Sequence, residues 1–162
     1  MIRETLLFTD EAAVIADMLR DEWSLGPSEV PNIEYIPEKA VQNARVGAIF
    51  VYVVSTSNRQ STTDYRTIDK TVHLNIKLDN RTRDNHFKMG QEIYRILMAN
   101  RRIGRRHNMG NSYLEVNNHR TLPNEVGWYT TIFDVTFVAH NVSLISAGFG
   151  DKINSQIEDN RV

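Results

Sequence analysis

Arg101, Arg102, Arg105 and Arg106 are the densest group of chemistry-bearing side chains in the sequence. They lie in RRIGRRH, directly after the amphipathic segment QEIYRILMAN. Cations there complement the negative end of a helix, each worth about 0.3–1 kcal/mol when exposed. Two arginines meet that need, and four with His107 exceed it. The surplus suits phosphate contact or docking onto an acidic surface of another protein. Nucleic-acid binders of the basic-patch type couple such a run to a net positive domain with interleaved aromatics. Here the net charge is −1 and only Tyr94 and Tyr113 lie near in sequence. A protein partner is therefore favoured over nucleic acid, and no sequence-specific reading of nucleic acid is expected.

Other chemistries find little footing. The histidines are His73, His86, His107, His119 and His140, and no two stand at the i, i+4 spacing of a helix-borne metal site. The absence of cysteine excludes disulfides and thiolate ligands. There is no GxxxxGK[ST] or GxGxxG phosphate cradle and no GxSxG elbow. Asp134 is a lone carboxylate in an apolar strand pattern and reads as part of its wetter face. No catalytic residue, metal or cofactor is assigned.

Charge is segregated along the chain. Residues 1–40 hold three basic and nine acidic side chains, a balance of −6, whereas residues 81–120 hold nine basic and three acidic, a balance of +6. Opposite poles let copies of one molecule associate head to tail, although the poles also suffice to neutralise each other within one molecule. Asp17, Asp21 and Glu22, on the first predicted helix, form the candidate acidic counter-surface to the arginines.

The elements that must position these residues follow from periodicity. KTVHLNIKLD alternates Val72, Leu74, Ile76 and Leu78 with His73, Asn75, Lys77 and Asp79, a strand with one buried face. Asp84 or Asn85 is expected to cap the next helix, whose stripe is Met89, Ile93, Ile96 and Leu97. An earlier helix, Asp10 to about Trp23, has Thr9 or Asp10 as cap and Val14, Ile15, Met18 and Leu19 as its stripe; Gly26 and Pro27 follow it. Asn32 to Ile36, flanked by prolines, suits an edge strand. Gly47 to Ser55 is β-branched and aromatic, and reads as a central strand.

The polar stretch 56–67 reads as a long hairpin loop and a candidate arm toward a neighbour, with Asn58, Arg59, Tyr65 and Arg66 as its contact residues. Tyr113 to Val116 reads as a short strand, NNHRTLPNEVG as a loop, and Trp128 to Ala139 as a long last strand. The last strand has apolar side chains on both faces. One is expected to cover a helix and the other a second layer or a neighbouring subunit.

A chain of 162 residues is expected to form one domain over residues 1–140, with residues 141–162 as a weakly ordered tail unless a partner holds it. Few helices and hairpin-linked strands predict an α+β fold, a mainly antiparallel sheet of about five strands with two helices packed on it. No apolar run approaches the roughly 20 residues that span a bilayer, so no membrane partner is expected. MIRETLLFTDEAA lacks a signal peptide's apolar core, which is compatible with synthesis in a cytoplasm.

The succession of an acidic N-terminal helix, GAIFV and VHLNIKL strands, the helix QEIYRILMANR, a basic loop and the aromatic-rich strand GWYTTIFDVTF resembles the tail-terminator (tail-completion or neck) proteins of tailed bacteriophages. The likeness spans about residues 5–140 in element order and hydrophobic pattern, without an invariant motif. It implies a virion protein at the head–tail junction, made in the host cytoplasm, that assembles as a hexameric ring. The ring ends polymerisation of the tail tube and joins it to the head-side connector or neck protein; a sheath protein is a further candidate partner. The family has no catalytic residues or cofactor to transfer. The alternatives are a head–tail connector or adaptor ring, and a small basic-patch nucleic-acid-binding module.

Overall fold

Asp10 opens the first helix, α1 (Glu11–Glu22), by accepting a hydrogen bond from the Ala13 amide at 3.2 Å. Ile15, Met18 and Leu19 turn inward as their spacing predicts, joined by Ala12 and Ala16. The structure, a computed structural model, describes residues 10–26, 30–37, 47–60, 67–125 and 127–143. After α1 come β1 (Asn32–Glu34), β2 (Ala48–Gln60), β3 (Thr67–Asn80), α2 (Arg83–Ala99), α3 (Ile103–Arg106), β4 (Ser112–Glu125) and β5 (Trp128–Ser143).

The strands form a five-stranded sheet in the order β1-β2-β3-β5-β4. All neighbours are antiparallel except β1, a short edge strand parallel to β2. The fold is α+β, as the pattern of elements predicts. β3 sits at the centre and presents Val72, Leu74, Ile76 and Leu78 to the helices, in register with Phe137, Val135, Phe133 and Thr131 of β5. Met89, Ile93, Ile96 and Leu97 of α2 close the core from above, all fully buried. Each such side chain contributes roughly 1.5–3 kcal/mol on burial, which fixes α2 on the sheet.

The far face of the sheet is more polar. Asp134 lies there, half-buried. The Asn75 amide joins it at 2.7 Å while accepting from the Tyr52 hydroxyl at 3.2 Å, in the orientation that satisfies both neighbours. Ile132 and Val138 share this face and are buried, with Lys77 and Arg120 beside Ile132, and Thr71 and Tyr113 beside Val138, in the register.

Three expectations are corrected. Residues 56–60, read as loop, continue β2: Thr56 to Arg59 pair with Val72 to Asp69 of β3. Residues 117–125, also read as loop, continue β4 along β5. Both stretches are solvated and lack the one-sided burial that produces apolar alternation; Pro123 is tolerated because β4 is an edge strand. The third concerns α2, whose N-cap is Thr82, not Asp84 or Asn85. Asn80 accepts from the Thr82 amide at 3.0 Å and turns the chain into the helix early. The tail predicted from residue 141 begins inside β5, and residues 144–162 lie outside the described residues.

Candidate functional site

The arginine cluster owes its position to two residues between its halves. Ile103 is fully buried and anchors α3 beneath α2. Gly104 packs so closely that a Cβ there would lie 2.2 Å from the Gly110 carbonyl oxygen and 2.6 Å from the Ser112 amide nitrogen. The Met109 amide donates to the Gly104 carbonyl at 2.8 Å, and the Leu114 amide to the Arg101 carbonyl at 2.7 Å. With the backbone drawn in, Arg101, Arg102, Arg105 and Arg106 are all directed to the surface.

They do not share one role. Arg106 donates to Glu22 Oε1 at 2.7 Å and to the Ala99 carbonyl at 3.0 Å, closing the C-terminal end of α2. Glu22 also accepts from Asn100 at 2.9 Å through Oε2, and its own carbonyl accepts from Arg95 at 2.8 Å. Glu22 thus belongs to an internal clamp between α1 and α2. Arg101, Arg102 and Arg105 have no side-chain partner among the described residues. Arg101 and Arg102 rim a shallow depression with Met98, Ala99, Tyr113 and Leu114.

The acidic residues of α1 lie near His107, which follows α3. Asp17 pairs with Arg20 at 2.7 Å, and Arg20 also reaches the Ile33 carbonyl. Asp21 is exposed with no partner among the described residues. Asp17 and Asp21 share a depression with Val14, Met18, His107 and Met109. Charge is therefore paired at Glu22–Arg106 and at Asp17–Arg20, while Arg101, Arg102, Arg105 and Asp21 have no side-chain partner among the described residues.

Of the expected arm, Asn58 and Arg59 stand on β2 opposite Lys70 and Asp69, with exposed side chains. Tyr65 and Arg66 lie outside the described residues. β1 pairs only with Ala48 to Phe50, so the outer edge of β2 from Val51 onward has no strand partner among the described residues. Val53 and Val54 are exposed at the bulge there. Opposite Asn58, Lys70 forms a buried ion pair with Glu11, in which burial pushes the Glu11 carboxyl up against the pull of the ammonium.

A groove of about 330 Å³ between α2 and the β4–β5 ribbon was not anticipated. Phe87, Gly90, Gln91 and Tyr94 line it from α2 at i, i+3, i+4 and i+7, one stripe of the helix. His119 and Thr121 of β4 and Thr131 and Phe133 of β5 face them. The bulge between Val116 and Asn118 shifts the alternation of β4 by one residue, which brings odd-numbered side chains to the helix side. His86, only 3% exposed, completes the lining. One ring nitrogen, Nε2, lies 2.7 Å from Thr131 Oγ1, itself 3.1 Å from Thr121 Oγ1. The other, Nδ1, is buried with no hydrogen-bond partner among the described residues. A polar atom left so costs about 1–3 kcal/mol. Burial holds the His86 pKa below the usual histidine value, against a smaller upward pull from Asp79. The sequence signal that a strand ran through 117–125 was too weak to reveal this wall.

Among the described residues no three His, Cys, Asp or Glu side chains gather as a metal-binding set, and no helix is long and apolar enough to cross a membrane. Compared with known proteins, the chain matches no family model and no curated protein.

Proposed function

We propose that this chain is a structural assembly subunit that works by contact, without making or breaking a covalent bond. More narrowly, it forms a ring, a hexamer by resemblance, at the head–tail junction of a tailed bacteriophage. The ring caps the tail tube, stops further subunits adding, and offers its other face to the head-side connector. The observation that carries this reading is the pair of exposed charge groups, Arg101, Arg102 and Arg105 at and within α3 and Asp17 and Asp21 on α1. A heterologous contact joins one patch to a different one on the next copy, and a closing rotation makes a ring. The outer edge of β2 beyond Phe50, which has no strand partner among the described residues, offers a surface for a neighbour or the tube.

Purified particles labelled on this chain test the reading. Label at the head–tail junction supports it, and particles without label end it. A connector or adaptor ring would carry label at the same junction; cross-linking to the tube protein then separates the two. A second reading, non-specific nucleic-acid binding, draws on the three arginines that lack side-chain partners among the described residues. It predicts DNA binding that weakens steeply with salt and disappears when those arginines become alanine.

A further inference from the structure

We propose that the groove between α2 and the β4–β5 ribbon is a binding site for a phenol-type group, a planar ring carrying one hydroxyl. The walls select the ring. Phe87 and Tyr94 stand exposed on the helix side, and the His119 and Phe133 rings lie 5.9 Å apart on the sheet side. Gly90 leaves the space between them open: a Cβ there would meet nothing nearer than Leu78 Cδ2 at 3.9 Å. Flat rings pack among such side chains in offset or edge arrangements, and the volume of about 330 Å³ is at the lower end of ligand sites.

His86 selects the hydroxyl. A neutral imidazole carries one N–H and one lone pair. If Nε2 donates to Thr131, the unpartnered Nδ1 is an acceptor; if Thr131 donates to Nε2, it is a donor. A hydroxyl both donates and accepts, so it satisfies Nδ1 in either tautomer, which an ether or a hydrocarbon does not. No lysine or arginine is among the lining residues, which disfavours a carboxylate or phosphate as the occupant; the nearby Arg83 guanidinium lies over the Phe87 ring at 5.4 Å. His86 lines the groove while its Nδ1 is closed off from solvent, with the Tyr129 and Phe87 rings as its aromatic neighbours at 5.9 and 6.4 Å, so contact with Nδ1 requires a neighbouring side chain to turn aside. The phenol group has two possible sources, a free small molecule or a tyrosine side chain presented by another polypeptide. The site stands whether or not the chain forms a ring.

The test uses the full chain with p-cresol, N-acetyl-L-tyrosinamide and toluene, followed by calorimetry and by NMR of nitrogen-labelled histidine. p-Cresol is expected to bind roughly three- to tenfold more tightly than toluene, the gain of one hydrogen bond, with the His86 Nδ1 resonance moving for each phenol that binds and not for toluene. His86→Phe should equalise the two ligands, and Gly90→Met should weaken both by filling the groove. The Nδ1 resonance of the unmodified chain decides the matter even if His86→Phe does not fold. Tyrosinamide bound as well as p-cresol identifies the source as a polypeptide; p-cresol bound alone identifies a free molecule. Equal affinity for p-cresol and toluene, no binding of any probe, or shifts confined to other residues would each overturn the assignment.

Discussion

Glu92 shows how one carboxylate ties the helices together. It is nearly enclosed, and accepts from Arg95 at 2.6 and 3.2 Å and from the Ser24 amide and hydroxyl at 2.8 Å each. These bonds, that from Arg95 foremost, lower its pKa to about 2. Because the folded value lies below the ordinary one of 4.5, its stabilisation is complete above pH 4.5 and is lost as pH falls toward 2. Arg95 is half-exposed, so water screens the pair, and the contribution is roughly 1–3 kcal/mol. Glu92→Gln should lose that amount at neutral pH and flatten the stability curve across that acid window. Urea unfolding at a series of pH values checks it; parallel curves for the two proteins would remove Glu92 from the account.

At the scale of elements, two glycines make opposite predictions. Gly104→Ala drives a Cβ into backbone atoms that have no room to yield, and should destabilise by about 1–3 kcal/mol or more while displacing the arginine loop. Gly90→Ala meets only a side-chain methyl at ordinary contact distance, and should stabilise α2 by roughly 0.5–1 kcal/mol. Thermal unfolding of the two variants compares them directly. Arg106→Ala should cost more stability than Arg105→Ala, because only Arg106 joins Glu22 and closes α2; equal losses would mean that the clamp contributes nothing. The elements themselves were legible where one face is buried: the β3 alternation and the stripes of α1 and α2 appear in the sequence as in the fold. The outer half of β2 and most of β4 were not, because a solvated ribbon has no apolar period. Nor was the groove, whose sheet wall depends on the bulge near Asn117 and on Thr131, 45 residues from His86. The four arginines read as one patch because adjacency in sequence gave no sign that Arg106 meets Glu22, 84 residues away.

For the whole molecule, the consequence of dividing the arginines is a smaller and more specific docking surface than charge counts suggest. With Arg106 and Glu22 paired to each other, a contact between copies would have Arg101, Arg102 and Arg105 to offer against Asp17 and Asp21. Exposed pairs are each worth only about 0.2–1 kcal/mol, so charge steers and registers such a contact while buried surface must hold it. Reversing one patch should therefore weaken self-association by roughly tenfold or more, since attraction is replaced by repulsion at several positions. The triple change of Arg101, Arg102 and Arg105 to Glu, and the double change of Asp17 and Asp21 to Arg, should each do so alone. Mixed together, the two proteins should recover association, because each supplies the complement that the other lacks. Sedimentation at graded concentration and salt follows this, with purified tube ends added should the free chain stay monomeric. Failure of the mixed pair to associate, where the unaltered chain does, would show that these patches do not face each other between copies and that the proposed ring would need another contact.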